Sequence, residues 1–428
     1  MSTQGRMNKG IIVLAITVIL IALRDYLNFS IGFNIFSGIC LIGSLFLSQK
    51  ERFVYLFSLL PFSRGLPYSE MILIVLAIDI ADAALVKKEC KIRIGMYLPI
   101  LGVIIIEILD TIKYGIDNVE LVYLVFYMLA ATYAVDCHVF QDEEETYIYG
   151  YSTCTIAAIA LVVIREISEL GLNYIFTYNV RFGANTNGRV VTNFNSNELG
   201  LYCVVAICLL MVLNLKRNKK SAFAMAVLLS MLGLVSISRT FIMLMVVSWL
   251  FYLILSKASI TKGLAVVIAF SIAFLVVQSL VPNFVDWIKN YFVARSHTPG
   301  GRINLVVDYF NWSFTDMWTI LFGYSEYYTQ ILNSTAAHNG IQEIMVCWGI
   351  VGLVICFLWF DMLIRYSCNG IRKSLDQWLP ALVFFAFIQS IQLFTMHGYL
   401  LLMVLALSVL GMRGEDINEQ GIEKFDIR

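Results

Sequence analysis

Long apolar runs, each close to the length of a bilayer crossing and parted by short charged loops, dominate this chain. A helix needs about 20 apolar residues to cross the hydrocarbon core. Measured against that length, the chain predicts spans near 10–23, 31–48, 53–64, 70–86, 93–110, 119–135, 148–165, 196–214, 221–237, 240–256, 263–281, 339–360, 378–394 and 398–412. The third is short, and the ninth and tenth form a tight hairpin, so the pattern predicts twelve to fourteen crossings. Only helices and closed barrels satisfy their backbone in lipid. The expected fold class is therefore an all-α polytopic membrane protein forming a single membrane domain over residues 1–428.

Two segments between spans are long enough to hold structure of their own: a first outer loop at 166–195 and a larger one at 282–338. In the larger, Phe284, Trp287, Ile288, Tyr291 and Phe292 recur at helical spacing, Pro299-Gly300-Gly301 breaks the pattern, and Ile303, Val306, Val307 and Phe310 mark a second helical face. This predicts a helical cap lying on the outer membrane surface. The chain shows no internal repeat and no separate soluble domain, and residues 413–428 form a charged cytoplasmic tail.

Composition agrees with the pattern. The chain is 59% hydrophobic and 14% charged, with a mean hydropathy of +0.79, which excludes a soluble protein of 428 residues. A net charge of zero argues against a nucleic-acid partner. Basic residues set orientation. The loops with Lys87, Lys88, Lys91 and Arg93, and with Lys216, Arg217, Lys219 and Lys220, fall on one side together with Lys50, Arg52, Arg6 and Lys9, so both termini are expected in the cytoplasm. Asp142-Glu143-Glu144-Glu145 also lands inside, which acidic residues do at little topological cost. No cleavable signal is visible, and none of the nine cysteines lies in an outer loop, so no disulfide framework is expected.

Charged and polar groups that could do chemistry gather on the outer side. Arg239 lies in Ser236-Ile-Ser-Arg-Thr240, between two apolar runs with almost no loop. It either faces an anion or a wet cavity, or snorkels to the headgroups. Arg302 follows two glycines and opens a helical pattern, where a cation opposes the helix dipole by about 0.3–1 kcal/mol. Arginine and free backbone N–H groups together suit one phosphate; the alternative is an ordinary turn with a solvated arginine. His338 opens a polar strip continued by Asn339, Gln342 and Glu343, with Ser334 or Thr335 as cap. It is either an interface anchor or a base for a hydroxyl. Asn193, Asn195, Asn197 and Glu198 stand at the head of the eighth span, as caps or as sugar contacts. Asp79 and Asp82 share one face of the fourth span, either on an ion path or, since Asp82 is near Lys87 and Lys88, as a structural pair at the inner interface. The outer loops hold no Asp-X-Asp, no metal spacing and no G-x-S-x-G, and the chain has no Walker A motif, so no cofactor is expected.

Taken in order, five segments resemble one family: Asn195-Ser-Asn-Glu-Leu-Gly200, Ser238-Arg239-Thr240, Gly301-Arg302, Leu321-Phe-Gly323, and His338-Asn339 ahead of Gly349-Ile-Val-Gly352. The chain resembles, over about residues 190–360, the bacterial O-antigen polymerase and O-antigen ligase family, which includes polymerases of capsule and exopolysaccharide. The resemblance implies a metal-independent glycosyltransferase of GT-C type in the plasma (inner) membrane. Its donor is an undecaprenyl-pyrophosphate-linked oligosaccharide on the outer face, and its partners are that substrate, membrane lipid and a protein that regulates chain length. Carried over, Arg239, Arg302 and His338 are catalytic, Arg181 and Arg189 bind pyrophosphate or acidic sugar, and Asn197, Glu198 and Asn339 contact sugar. Polymerase is preferred to ligase, which differs by acceptor. A lipid-linked oligosaccharide flippase is disfavoured because it calls for inverted repeats and paired broken helices.

Overall fold

The computed structural model describes residues 9–26, 29–87, 92–115, 120–141, 143–171, 196–236, 238–256, short pieces between 263 and 289, 300–334, 337, 339–367 and 398–408. Among them the regular structure is helical, with no strand. Four helical stretches are long and apolar enough to cross a membrane: Ile94–Tyr114, Glu144–Leu170, Glu198–Arg217 and Gly340–Ser367. Shorter apolar helices at Phe33–Phe46, Leu121–Asp136, Lys220–Ser236, Thr240–Leu255 and Gly398–Ser408 coincide with further predicted spans. The predicted span 378–394 lies outside the described residues, and 263–281 lies partly outside them.

In chain order the helices are α1 (Lys9–Tyr26), α2 (Phe33–Phe46), α3 (Gln49–Ser58), α4 (Tyr68–Asp82), α5 (Leu98–Tyr114), α6 (Glu120–Asp136) and α7 (Glu144–Leu170). They continue as α8 (Ser196–Arg217), α9 (Lys220–Gly233), α10 (Arg239–Leu255), α11 (Gly300–Ser313), α12 (Met317–Leu321), α13 (Tyr328–Ile331), α14 (Gly340–Ser367) and α15 (Gly398–Ser408). Helix α8 is the axis. Every residue from Glu198 to Asn214 is buried, and α7, α9 and α10 pack around it. A helix that is apolar on all sides has no polar face to turn outward, so it takes the centre. The outer helices instead carry exposed apolar side chains, among them Ile12, Phe46, Ile112, Met243 and Ile254, as lipid-facing surfaces do.

Apolar contact alone does not favour helix association in lipid, so packing and polar bonds must hold the bundle. Aromatic side chains with a polar atom supply many of these bonds. Trp249 Nε1 donates to Ser230 Oγ at 2.9 Å, Tyr252 OH to Asn214 Oδ1 at 2.5 Å, Trp359 Nε1 to Thr132 Oγ1 at 2.9 Å, and Tyr151 OH to the Tyr202 carbonyl at 3.1 Å.

The predicted short third span is a buried half-helix. From Arg52 to Phe62 every residue is buried, and α3 passes into a 3-10 turn at Leu60–Gly65 with Pro61 as its second residue. Ser48 and Glu51 close a capping box at its head. Arg52 staples this end: Nε donates to the Ser44 carbonyl at 2.7 Å, Nη1 meets the Asp79 carboxylate, and Asp82 lies 3.7 Å away. Arg52 comes from inside the bundle, where Asp79 is buried; the side chains of Lys87 and Lys88, expected beside Asp82, lie outside the described residues.

The two ends of the bundle differ. At one, here called the basic end, Arg217 meets Glu144 at 3.1 Å, Lys219 meets Glu145 at 3.3 Å, and Lys50 Nζ donates to the Gln141 carbonyl at 2.6 Å. The acidic loop thus shares an end with the basic loops, neutralised by direct pairing. At the opposite end stand the head of α8, the turn before α10, and the helices of residues 300–334. That segment is helical as expected, but its outward face carries Val306, Val307 and Phe310, which are exposed, while Tyr309 turns inward with no exposed surface. The first outer loop starts later than expected, since α7 runs through Leu170 and ends on Gly171 at φ 77°.

Arg52→Gln removes the guanidinium from a buried carboxylate, which should cost about 3–5 kcal/mol. Thermal unfolding in detergent should show the loss, and the double variant Arg52→Gln/Asp79→Asn should recover part of it.

Candidate functional site

Two helix heads meet at a glycine. A Cβ on Gly200, in the first turn of α8, would lie 2.7 Å from Phe241 Cβ and 3.2 Å from Ser238 Cβ. On Gly233, at the end of α9, it would lie 2.3 Å from the Phe241 ring. Glycine at both positions lets the α9–α10 turn lie directly on the head of α8. That turn is held by its serines: Ser236 Oγ donates to the Gly233 carbonyl at 2.7 Å, and buried Ser238 caps α10 by accepting from Phe241 N at 3.4 Å. Arg239 is the first residue of α10, as the short hairpin predicts. Asn197 lies in the first turn of α8. The segments of Asn197–Gly200 and Ser238–Thr240, far apart in sequence, are therefore neighbours.

Glu198, buried in the same turn, holds Arg64 with Nη2 at 2.5 Å from Oε1. Arg64 comes from the 3-10 turn after α3, and its side chain is 33% exposed. Ser63 Oγ lies 3.4 Å from Tyr202 OH, and the Tyr202 and Tyr399 rings are 6.5 Å apart, so hydroxyls line the protein side of the pair.

A second assembly forms where α14 breaks. Gly349 adopts φ 59°, ψ −159°, a backbone region closed to side chains. A break inside an apolar helix strips carbonyls of their usual donors, which costs several kcal/mol each in lipid. The loop after α12 supplies replacements: Tyr324 N donates to the Val346 carbonyl at 2.8 Å, and Ser325 N to the Cys347 carbonyl at 2.9 Å. Gly323, at φ 83°, makes the approach possible, since a Cβ there would lie 2.4 Å from the Cys347 oxygen. The loop is also tied to α5. Buried Glu107 accepts from Trp348 Nε1 at 2.5 Å, Ser325 Oγ at 2.8 Å and Glu326 N at 2.9 Å. Asp110 accepts from Trp318 Nε1 at 2.9 Å, and Tyr114 OH donates to the Gly323 carbonyl at 3.1 Å. At the loop's start Asp316 caps α12, and backbone donation from Thr319 holds its carboxyl below the usual range. The Leu321–Gly323 and Gly349–Gly352 segments are thus one packed unit.

The predicted residues divide. Asn339 is the cap of α14, accepting from Ile341 N and Gln342 N at 3.1 Å each, so the capping role expected of Ser334 or Thr335 belongs to it. Ser334 pairs instead with Tyr309 OH at 2.6 Å. Glu198, expected as a sugar contact, is buried and pairs with Arg64. Arg302 lies in the first turn of α11, whose Val306 carbonyl accepts from Gln342 Nε2 at 2.7 Å, bringing that helix against the head of α14. Helix α15 packs on both α8 and α14 and so bridges the two assemblies. Arg181, Arg189 and His338 lie outside the described residues.

Sequence reading passed over Arg64 and Glu107. Each carried a signal: Arg64 ends an apolar run too short to span, in Pro61-Phe-Ser-Arg-Gly-Leu-Pro67, and Glu107 sits within the run Ile104–Ile108 of a predicted span. No family model matches the chain, and no curated protein matches it.

Gly349→Ala should lower stability by roughly 3 kcal/mol or more, through strain and a 2.4 Å approach to Leu321. Gly38→Ala, in a helix with open space around it, should instead raise stability by about 0.5–1 kcal/mol. Tryptophan fluorescence during heating would read both.

Proposed function

We propose that this chain is a polysaccharide polymerase that transfers an undecaprenyl-pyrophosphate-linked glycan to a lipid-linked repeat unit at the outer face of the plasma membrane. The observation that carries the reading is the junction at Gly200, where the first turn of α8 abuts the turn that starts α10 on Arg239. Helix heads present free N–H groups and positive dipole ends, and an arginine at the same place completes a site for phosphate. The lateral packing of α11, with Arg302 in its first turn, against the head of α14 supports a second cation on the same side of the bundle.

The chemistry follows from those groups. An acceptor hydroxyl attacks the anomeric carbon of the donor glycan, and the bond from that carbon to the pyrophosphate oxygen breaks. The electron pair leaves with undecaprenyl pyrophosphate, whose growing charge Arg239 and Arg302 stabilise. His338 takes the hydroxyl proton and returns it to water. The transfer runs without a metal. The helical segment over this end, with Val306, Val307 and Phe310 outward, offers an apolar surface on which a polyprenyl chain can lie.

In a deletion strain, Arg239→Ala, Arg302→Ala and His338→Ala should each abolish the polymer ladder and leave a single repeat unit on its final acceptor, at normal protein level. Full-length polymer from both arginine variants would refute the phosphate role. Long chains left on undecaprenyl pyrophosphate would indicate a ligase, and repeat units trapped on the inner leaflet a flippase.

A further inference from the structure

The turn that follows α6, at the basic end, sets a histidine against an arginine. His138 stands there at φ 48°, a left-handed backbone that a side chain adopts uncommonly. Bonds on both sides fix it: His138 N donates to the Val135 carbonyl at 3.1 Å, Val139 N to the Ala134 carbonyl at 3.2 Å, and Gln141 N to the His138 carbonyl at 3.0 Å. The residue is half-buried, with Nε2 3.4 Å from Arg93 Nη2. A guanidinium nitrogen donates and never accepts, so Nε2 turns its lone pair to Arg93 and the imidazole is neutral.

Arg93 is where three elements meet. It leads into the 3-10 turn Ile94–Met96 ahead of α5. Its backbone N donates at 3.1 Å to Oδ2 of Asp136, the last residue of α6, and its Nε lies 3.8 Å from Oδ1 of that buried carboxylate. Its Cζ sits 4.7 Å from the centre of the Tyr366 ring, in the last turn of α14. Among the described residues, the charged groups facing His138 are Arg93 and Asp136. Tyr97, ahead of α5, donates its hydroxyl to Asp136 at 3.3 Å. Lys50 of α3 reaches the same turn but donates to the Gln141 carbonyl, and Asp361 and Arg365 of α14 pair with each other at 2.8 Å. Burial, and then Arg93, hold the imidazole below the usual histidine range against the opposing pull of Asp136.

We propose that His138 and Arg93 form a pH-sensitive latch on the basic end of α14, closed while His138 is neutral and opened when it takes a proton. Protonation removes the acceptor and sets a second positive charge 3.4 Å from the guanidinium. Asp136 keeps the Arg93 backbone N–H and the Tyr97 hydroxyl, so α5 and α6 stay joined. The joint to Tyr366 is made by the guanidinium itself, so that joint opens. The sign follows from linkage. A histidine held below its usual range supports the closed form fully above that range, and the support is lost as pH falls through it. The other half of α14 carries the break at Gly349, so the latch ties pH on the basic side to the helix that seats the loop after α12.

Hydrogen–deuterium exchange of the last turns of α14 tests the latch, on the full chain in lipid nanodiscs, at about pH 7.5 and about pH 5.5, with the intrinsic chemical rate divided out. Wild type should exchange severalfold faster at the lower pH. His138→Gln, whose amide oxygen accepts from Arg93 at either pH, should keep the slow rate at both. His138→Asn suits the left-handed backbone and takes its place if the glutamine variant fails to fold; it too should lose the pH response. Tyr366→Leu, without the ring on which the guanidinium rests, should exchange fast at both pH values, and Tyr366→Phe should behave as wild type. A pH response that persists unchanged in folded His138 variants would overturn the inference. So would a wild-type rate that does not change with pH, or a slow rate in Tyr366→Leu.

Discussion

A backbone carbonyl in lipid must have a donor, and at the break in α14 that demand organises the cap end of the molecule. Gly349 turns the helix out of register, and the carbonyls of Val346 and Cys347 are met by Tyr324 N and Ser325 N. To deliver them, the loop after α12 must enter the bundle between α5 and α14. Glu107 makes the entry specific, because its three donors come from both the loop and the broken helix. Glycine at 323 and 349 is thus a steric requirement of one contact seen from its two sides.

Charge is handled differently at the two ends. At the basic end, acidic and basic loops face each other and close most of their charge by pairing, as Arg217, Lys219, Glu144 and Glu145 do. Deeper in, Arg52 is consumed by Asp79 and a helix-end carbonyl. At the opposite end Glu107 and Asp110 accept from neutral donors, tryptophan and serine, while Glu198 meets Arg64 and Glu169 meets Arg165.

Much of this was legible in the chain itself. Apolar runs predict helices at the right positions because crossing length and apolar composition are local properties, and the helical stretches Lys220–Ser236 and Thr240–Leu255 fall within a residue of the predicted 221–237 and 240–256. The close turn before Arg239 was legible for the same reason. What the runs do not carry is partnership. Asp79 pairs with Arg52, a partner 27 residues away that no local pattern announces. Ser334 has a cap residue's chemistry, but Tyr309 claims its hydroxyl and Asn339, one step before Gly340, does the capping. The short third span looked like a weak crossing because burial inside protein and burial in lipid leave the same apolar signature. Gly323 and Gly349 were visible as motif residues, while their mutual contact depends on a loop reaching across 26 positions.

The burial of α8 from Glu198 to Asn214 has a further consequence for handling and for evolution of the chain. A helix with no lipid contact is solvated by protein alone. Exchanging bilayer for detergent therefore alters the surroundings of α1, α2 and α5 while leaving those of α8 unchanged. Divergence among descendants of such a chain should follow the same division, with lipid-facing positions drifting freely among apolar residues and the axial helix keeping the size of its side chains.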